Sequence, residues 1–161
     1  MNIHLSQDRI QIHKITDDDE LPWELLLLAD PSREFVSAYL ANGECYIAKL
    51  QGELVGEFLI MPKAPDVWEL MNIAVTEARH GQGIGKALLA EAIRIVRQYG
   101  AKTLEVGTGN CGFMQLAFYQ KAGFRIVGVE RDFFLKHCAE PIFENGIQCV
   151  DMVRLELSLT T

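Results

Sequence analysis

Apolar positions in this chain follow two periods, one of two residues and one near 3.6, with polar breaks between them. Ile10, Ile12 and Lys14–Ile15 alternate and predict a first strand. The carboxylate run Asp17–Glu20 leads into Leu21-Pro22-Trp23, which has the composition of a helix start and predicts a helix through Leu28. A second helix is expected from about Ser32 to Ala41, stopped at Asn42-Gly43. Glu44–Leu50 and Glu53–Met61 are β-type runs joined by Gln51-Gly52, the signature of a hairpin. Pro62–Asp66 breaks the pattern, and Trp68–Val75 reads as another strand. Ile84, Leu88, Ala92, Ile95 and Tyr99 share one helical face, flanked by Leu89, Ile93 and Val96, and Gly100 ends that helix. Thr103–Val106 predicts a short strand and Gly107–Gly112 a loop. Phe113–Lys121 predicts a helix closed by Gly123, and Phe124–Val129 a strand. Arg131–Gln148 reads as irregular, with turns at Pro141 and Asn145-Gly146 compatible with a two-strand excursion, and Asp151–Leu159 alternates as the last strand. The order is βααβββαβαββ, a mixed α/β domain. Its hairpins imply antiparallel pairs, and the strand–helix–strand units on either side of residue 104 imply parallel ones.

With 161 residues, no internal repeat and no low-complexity linker, one domain over residues 1–161 is expected. The opening stretch MNIHLSQDRIQIHKITDDDE lacks a basic segment followed by an apolar one, and no apolar run approaches the ~18 residues of a membrane span. A cytoplasmic protein without a membrane partner is the expectation. Cys45, Cys111, Cys138 and Cys149 are scattered without a C-x-x-C pair, so reduced thiols rather than a disulfide framework are expected. His137-Cys138 lacks partners at ligand spacing, and no metal is expected.

The formal net charge of −7 argues against a nucleic-acid partner, but it is unevenly spread. Residues 1–78 carry a net of −9, residues 79–136 a net of +5 and residues 137–161 a net of −3; nine of the 13 glycines lie between Gly81 and Gly128. Within that basic, glycine-rich stretch, Arg79-His80-Gly81-Gln82-Gly83-Ile84-Gly85-Lys86 stands between a strand and an amphipathic helix. Alternate glycines turn the backbone sharply and expose N–H groups, and the helix adds its unpaired N-terminal N–H groups and the positive end of its dipole. Together these suit a pyrophosphate. The loop is not a Walker A motif, because Ala87 follows Lys86 and no glycine lies five positions before Gly85. Nor is it G-x-G-x-x-G, because the third glycine comes one residue early.

A second feature is Phe118-Tyr119-Gln120-Lys121-Ala122-Gly123-Phe124, a helix end followed by a glycine and an aromatic strand start. On these two motifs the chain resembles the GCN5-related N-acetyltransferase (GNAT) family. The resemblance covers residues 44–130 by motif and nearly the whole chain by element order. It implies the acyl-CoA N-acyltransferase (GNAT) fold, of α/β (α+β) class: a mixed, mostly antiparallel six- to seven-stranded sheet flanked by about four helices. The family's pyrophosphate loop, Gln/Arg-x-x-Gly-x-Gly/Ala, falls on His80, Gly83 and Gly85, with His80 in place of the usual Gln or Arg. It implies binding of acetyl-CoA through His80, Gly81, Gln82, Gly83, Ile84, Gly85 and Lys86. Ile73, Ala74 and Val75 would pair with the pantetheine arm as an added strand. Where the family often has an Asn seven positions before the Tyr, this chain has Gly112, with Asn110 two residues earlier as the candidate contact.

The resemblance further implies direct acetyl transfer from acetyl-CoA to a primary amine, the partner being a small molecule or a protein. An alkyl amine arrives protonated and needs a base, and the leaving thiolate needs a proton. Tyr119 matches the family's acid position. Glu69, on the Trp68–Val75 strand, is the best placed carboxylate for the base, against a solvated strand carboxylate or proton transfer through water. Arg79, Lys86 and Lys121 supply positive charge for the coenzyme, and the acidic N-terminal half favours a cationic acceptor. Arg131–Gln148, with Phe133, Phe134, His137, Glu140, Phe143 and Glu144, lies where the family closes the acceptor pocket. The alternatives are a non-catalytic acyl-CoA-binding or sensor domain of the same fold, and a structural domain with a ligand-free glycine turn. A homodimer through the exposed last strands is compatible with the sequence and not required by it.

Overall fold

The structure is a computed structural model and describes residues 9–160; residues 1–8, part of the stretch read above for a leader, lie outside the described residues. The first half holds β1 (Gln11–Lys14), α1 (Trp23–Ala29), α2 (Arg33–Asn42), β2 (Glu44–Leu50), β3 (Glu53–Ala64) and β4 (Val67–Val75). The second holds α3 (Ile84–Gln98), β5 (Thr103–Gly109), α4 (Phe113–Lys121), β6 (Arg125–Glu130), α5 (Phe133–His137), β7 (Phe143–Glu144), β8 (Ile147–Gln148) and β9 (Met152–Ser158). Seven strands form one sheet in the order β1-β2-β3-β4-β5-β9-β6, and β7–β8 is a separate hairpin. Among the described residues only the β4–β5 pair is parallel; β5 and β6 run the same way but β9 lies between them, antiparallel to both.

The sheet buries both faces. On one, α3 lays Leu88, Leu89, Ala92, Ile95 and Val96 against Phe58, Ile60, Leu70 and Leu104, and Tyr119, Phe124 and Leu155 extend that core. Each such aliphatic side chain contributes on the order of 1.5–3 kcal/mol through burial. On the other face α1 and α2 cover Leu59 and Cys45 with Leu26, Val36 and Tyr39. The start of α2 is fixed by Ser32, whose Oγ accepts from the Phe35 N–H at 3.2 Å. Among the described residues no helix is long and apolar enough to cross a membrane.

Three segments differ from the pattern-based expectation. β3 continues through Pro62 to Ala64, because the register slips between Pro62 and Ala64 and the ring needs no ladder donor at that irregularity. β5 extends past Val106 to Gly109, since β9 supplies a partner along its whole length. The stretch read as irregular after Arg131 contains a fifth helix, while the two-strand excursion its turns allowed is present as a hairpin turned at Asn145 and Gly146, whose φ values of 56° and 73° fit a tight primed turn.

Candidate active site

β4 and β5 pair only from Val67–Thr103 to Leu70–Val106. Beyond Leu70 the strands part: Met71–Val75 keep β3 as their sole strand neighbour, and Gly107–Gly109 pair with β9. The sheet therefore splits in the middle and leaves one backbone edge of β4 unpaired. That edge runs through Ile73, Ala74 and Val75 into a single 3-10 turn (Glu77–Arg79) and then the glycine loop.

Gly81 and Gly83 have φ of 80° and 81°, values that L side chains rarely adopt, and an added Cβ at either would meet no atom within 4 Å. The glycines are thus required by the backbone turn and leave open space in front of it. Gly83 is the N-cap of α3 and makes no side-chain cap, so among the described residues the start of this 15-residue helix is left without a capping side chain. Lys86 stands exposed in that first turn without an ion pair among the described residues, a position a cation favours only with an anion nearby. His80 donates its Nε2–H to the Val75 carbonyl at 2.8 Å, tying the loop to the end of β4. Arg79 is held by Glu53 at 3.3 Å.

α4 packs beside this loop, with Phe118 3.7 Å from the Cβ position of Gly85. The next residue, Tyr119, is 6% exposed and packs edge-on against Phe118 and Phe124. Its hydroxyl makes no hydrogen bond among the described residues. Burial, with the charge of Glu57 second, raises the phenol above its ordinary range, so it keeps its proton at neutral pH.

Two expected site residues are engaged otherwise. Glu69 is buried, and its Oε2 accepts from Arg154 Nη1 at 2.9 Å, with Lys63 at 4.0 Å from its other oxygen. Arg154 also donates to Glu130 at 2.6 Å and lies 5.8 Å above the Phe133 ring. Glu69 is thus ion-paired with Arg154. Gly107 permits this, since a Cβ there would lie 2.8 Å from Arg154 Nη1. Asn110 spends its carboxamide on the chain: its oxygen accepts from the Val150 and Asp151 N–H groups at 2.8 and 3.0 Å, and its nitrogen donates to the Gln148 carbonyl at 3.2 Å. These bonds clasp the β5–α4 loop to the segment before β9.

The same junction overturns the expectation of four reduced thiols. Cys111 and Cys149 form a disulfide, their Cα atoms 5.2 Å apart although they lie 38 positions apart in sequence. The pairing arises because the hairpin folds back onto the loop, where Asn145 donates to the Cys111 carbonyl at 2.8 Å. Glu144 lies beside the bonded sulfurs, its carboxylate oxygen within 4.8 Å of both. Cys45 and Cys138 are free. At the other end of this arm, His137 packs against Phe35 of α2 with ring centroids 5.4 Å apart, so the arm and α2 meet over the sheet face that carries Glu69 and Arg154.

Glu57 and Asn72 were not among the sequence candidates. Glu57 has 0% exposure, and neither carboxyl oxygen has a hydrogen-bond partner among the described residues. Asn72 donates to the Leu26 carbonyl at 2.9 Å and to the Tyr39 hydroxyl at 2.7 Å, while its Oδ1 has no partner among the described residues. The available signal was an acid inside the apolar run Leu54-Val55-Gly56-Glu57-Phe58-Leu59-Ile60.

Known proteins carry the same architecture. The chain is 47% identical over 157 residues to an uncharacterised N-acetyltransferase, YvbK, of Bacillus subtilis (strain 168), covering 98% of this chain and 100% of that protein. It superposes with a TM-score of 0.91 on a GNAT family acetyltransferase from Elizabethkingia anophelis with acetyl-CoA bound, at 44% identity and over 92% and 97% of the two chains. A Bacillus subtilis acetyltransferase in complex with CoA superposes with a TM-score of 0.86 at 48% identity, over 95% of this chain and 99% of that one. A sequence model of the acetyltransferase (GNAT) family matches residues 9–124, and with these relatives it shows that the chain belongs to the GNAT acetyltransferase family.

Proposed function

We propose that this chain transfers the acetyl group of acetyl-CoA to a primary amine of a small molecule or protein, by direct attack with both substrates bound. The observation that carries the reading is the continuity of the unpaired β4 edge with the glycine turn and the uncapped start of α3. Two relatives above 40% identity hold acetyl-CoA or CoA.

Acetyl-CoA supplies an activated acyl group as a thioester. The N–H groups of Gly81–Lys86 and the α3 dipole receive the pyrophosphate. Ile73, Ala74 and Val75 offer an open strand edge to the amides of the pantetheine arm. A backbone N–H on the unpaired edge is available to the acyl oxygen as charge develops there. Tyr119 carries its proton, without a competing acceptor, for the departing sulfur. Glu69 keeps Arg154 in place over the acceptor face.

Acetyl-CoA at about 100 Kd stabilises by roughly 2.7 kcal/mol, which is about 5–10 °C in Tm for a chain of this size. Release of free CoA on adding simple primary amines separates a transferase from a non-catalytic acyl-CoA sensor, which would show the Tm shift alone. No Tm shift at millimolar acetyl-CoA removes both readings.

A further inference from the structure

We propose that Glu57, two positions along the β3–β4 ladder from Asn72, is the base that takes the proton of the acceptor ammonium, directly or through one water. The inference rests on the acetyltransferase reading above. Glu57 lies on β3 opposite Ala74 of β4, and Asn72 lies opposite Leu59, both pairs along the part of β4 that has lost β5 as a partner. Its other cross-strand neighbour is Ile47 of β2. Three acceptor atoms, Glu57 Oε1 and Oε2 and Asn72 Oδ1, are buried without a donor among the described residues. Buried polar atoms are rarely left so, and each orphan costs about 1–3 kcal/mol. What the place lacks is a group rich in N–H or O–H donors, which describes an ammonium or the water that precedes it.

The groups facing Glu57 fit this assignment. Tyr39 from α2, Cys45 from β2 and Tyr119 from α4 are the titratable groups on which its charge acts. Asp30, at the end of α1, is joined to the Tyr39 hydroxyl at 3.3 Å. None is a cation, so the counter-charge must come with the acceptor. Burial pushes the Glu57 carboxyl well above the ordinary carboxylate range, so its carboxylate is a stronger base than an exposed one. Tyr119 belongs to the core on the α3 side, and Glu57 points to the face under α1 and α2. The split strand therefore has an acid on one side and a base on the other. The amine nitrogen loses two protons in becoming an amide. Glu57 as carboxylate takes one and returns it to solvent, and the other replaces the proton that Tyr119 gives to sulfur.

The test is Glu57→Gln, neutral and of equal size, with Glu57→Asp as the charged partner. CoA release is measured from pH 5 to 10 with a panel of alkyl, arylalkyl and amino-acid amines, and acetyl-CoA binding by Tm shift. The expected result is a fall of about a hundredfold in kcat for Gln, loss of the acid limb of the pH profile and partial recovery in Asp, with the acetyl-CoA shift unchanged. Turnover by Gln within twofold of the unaltered protein, with the acid limb intact, overturns the assignment. Absence of turnover by the unaltered protein with every amine overturns the transferase reading and the base with it. A Gln variant that no longer responds to acetyl-CoA assigns Glu57 a structural role and also overturns the proposal.

Discussion

The imidazole Nε2 of His80 lies 2.8 Å from the carbonyl oxygen of Val75, so the side chain that replaces the family's usual Gln or Arg braces the loop against the strand it follows. A neutral hydrogen bond of this kind is worth about 0.5–1.5 kcal/mol net. His80→Ala is expected to weaken acetyl-CoA binding by about 2- to 10-fold while leaving kcat near its original value. Calorimetric titration with acetyl-CoA checks it; an unchanged Kd would mean that the loop holds its shape without the brace.

Gly83 separates the ligand from the fold. Because an added Cβ at this φ of 81° meets no protein atom, Gly83→Ala carries only the left-handed backbone cost of about 1–2 kcal/mol. Gly83→Val adds bulk in the space assigned to the pyrophosphate. Valine is expected to abolish the acetyl-CoA Tm shift while the unliganded protein still unfolds cooperatively. Retained affinity in the valine variant would place the anion elsewhere.

Tyr119→Phe removes a hydroxyl that bonds nothing among the described residues and leaves the ring packing on Phe118 and Phe124 intact. Stability and acetyl-CoA affinity are expected to stay near their original values, and kcat to fall by about 10²-fold or more. Steady-state kinetics with any accepted amine decides it. Undiminished kcat would remove the phenol from proton delivery.

Chemistry carried by contiguous residues is legible in the sequence, and chemistry assembled across strands is not. His80 to Lys86 and Phe118 to Phe124 are local patterns whose turns and helix ends follow from the residues themselves. The ion pair of Glu69 with Arg154 joins residues 85 apart and depends on the register that sets Gly107 opposite Arg154. The disulfide likewise depends on a hairpin folding back 38 residues later. Gly107 and Gly109 read as loop glycines and are strand residues, because spacing cannot reveal that β9 inserts between β5 and β6.

The Cys111–Cys149 bond closes a loop of 38 residues that includes α4, β6, α5 and the hairpin. On the chain-entropy account such a closure contributes about 3–4 kcal/mol. Dithiothreitol, or Cys149→Ser, is expected to lower Tm by roughly 5–15 °C. Acetyl-CoA affinity should follow, since the disulfide and Asn110 together hold the loop that borders the β4 split. Thermal unfolding with and without reductant checks it, and equal Tm values would show that the Asn110 and Asn145 hydrogen bonds alone fix the junction.

Glu69 offers the sharpest division between a catalytic and an anchoring carboxylate. It is 8% exposed and shares Arg154 with Glu130. Removing one partner of such a pair leaves the other buried and uncompensated, at a cost of about 3–5 kcal/mol when burial is complete; the partial exposure of Arg154 brings this to about 2–3 kcal/mol. Glu69→Gln is therefore expected to lower Tm by several degrees, and Arg154→Met in the same chain to recover most of the loss, because the double change removes both charges. If Glu69 only anchors, kcat of Glu69→Gln at a temperature where it is fully folded stays within a few-fold of the unaltered protein and keeps the acid limb of its pH profile. A loss of that limb in Glu69→Gln, with Glu57→Gln unaffected, would return the base to β4. The two variants measured side by side thus decide which carboxylate receives the proton.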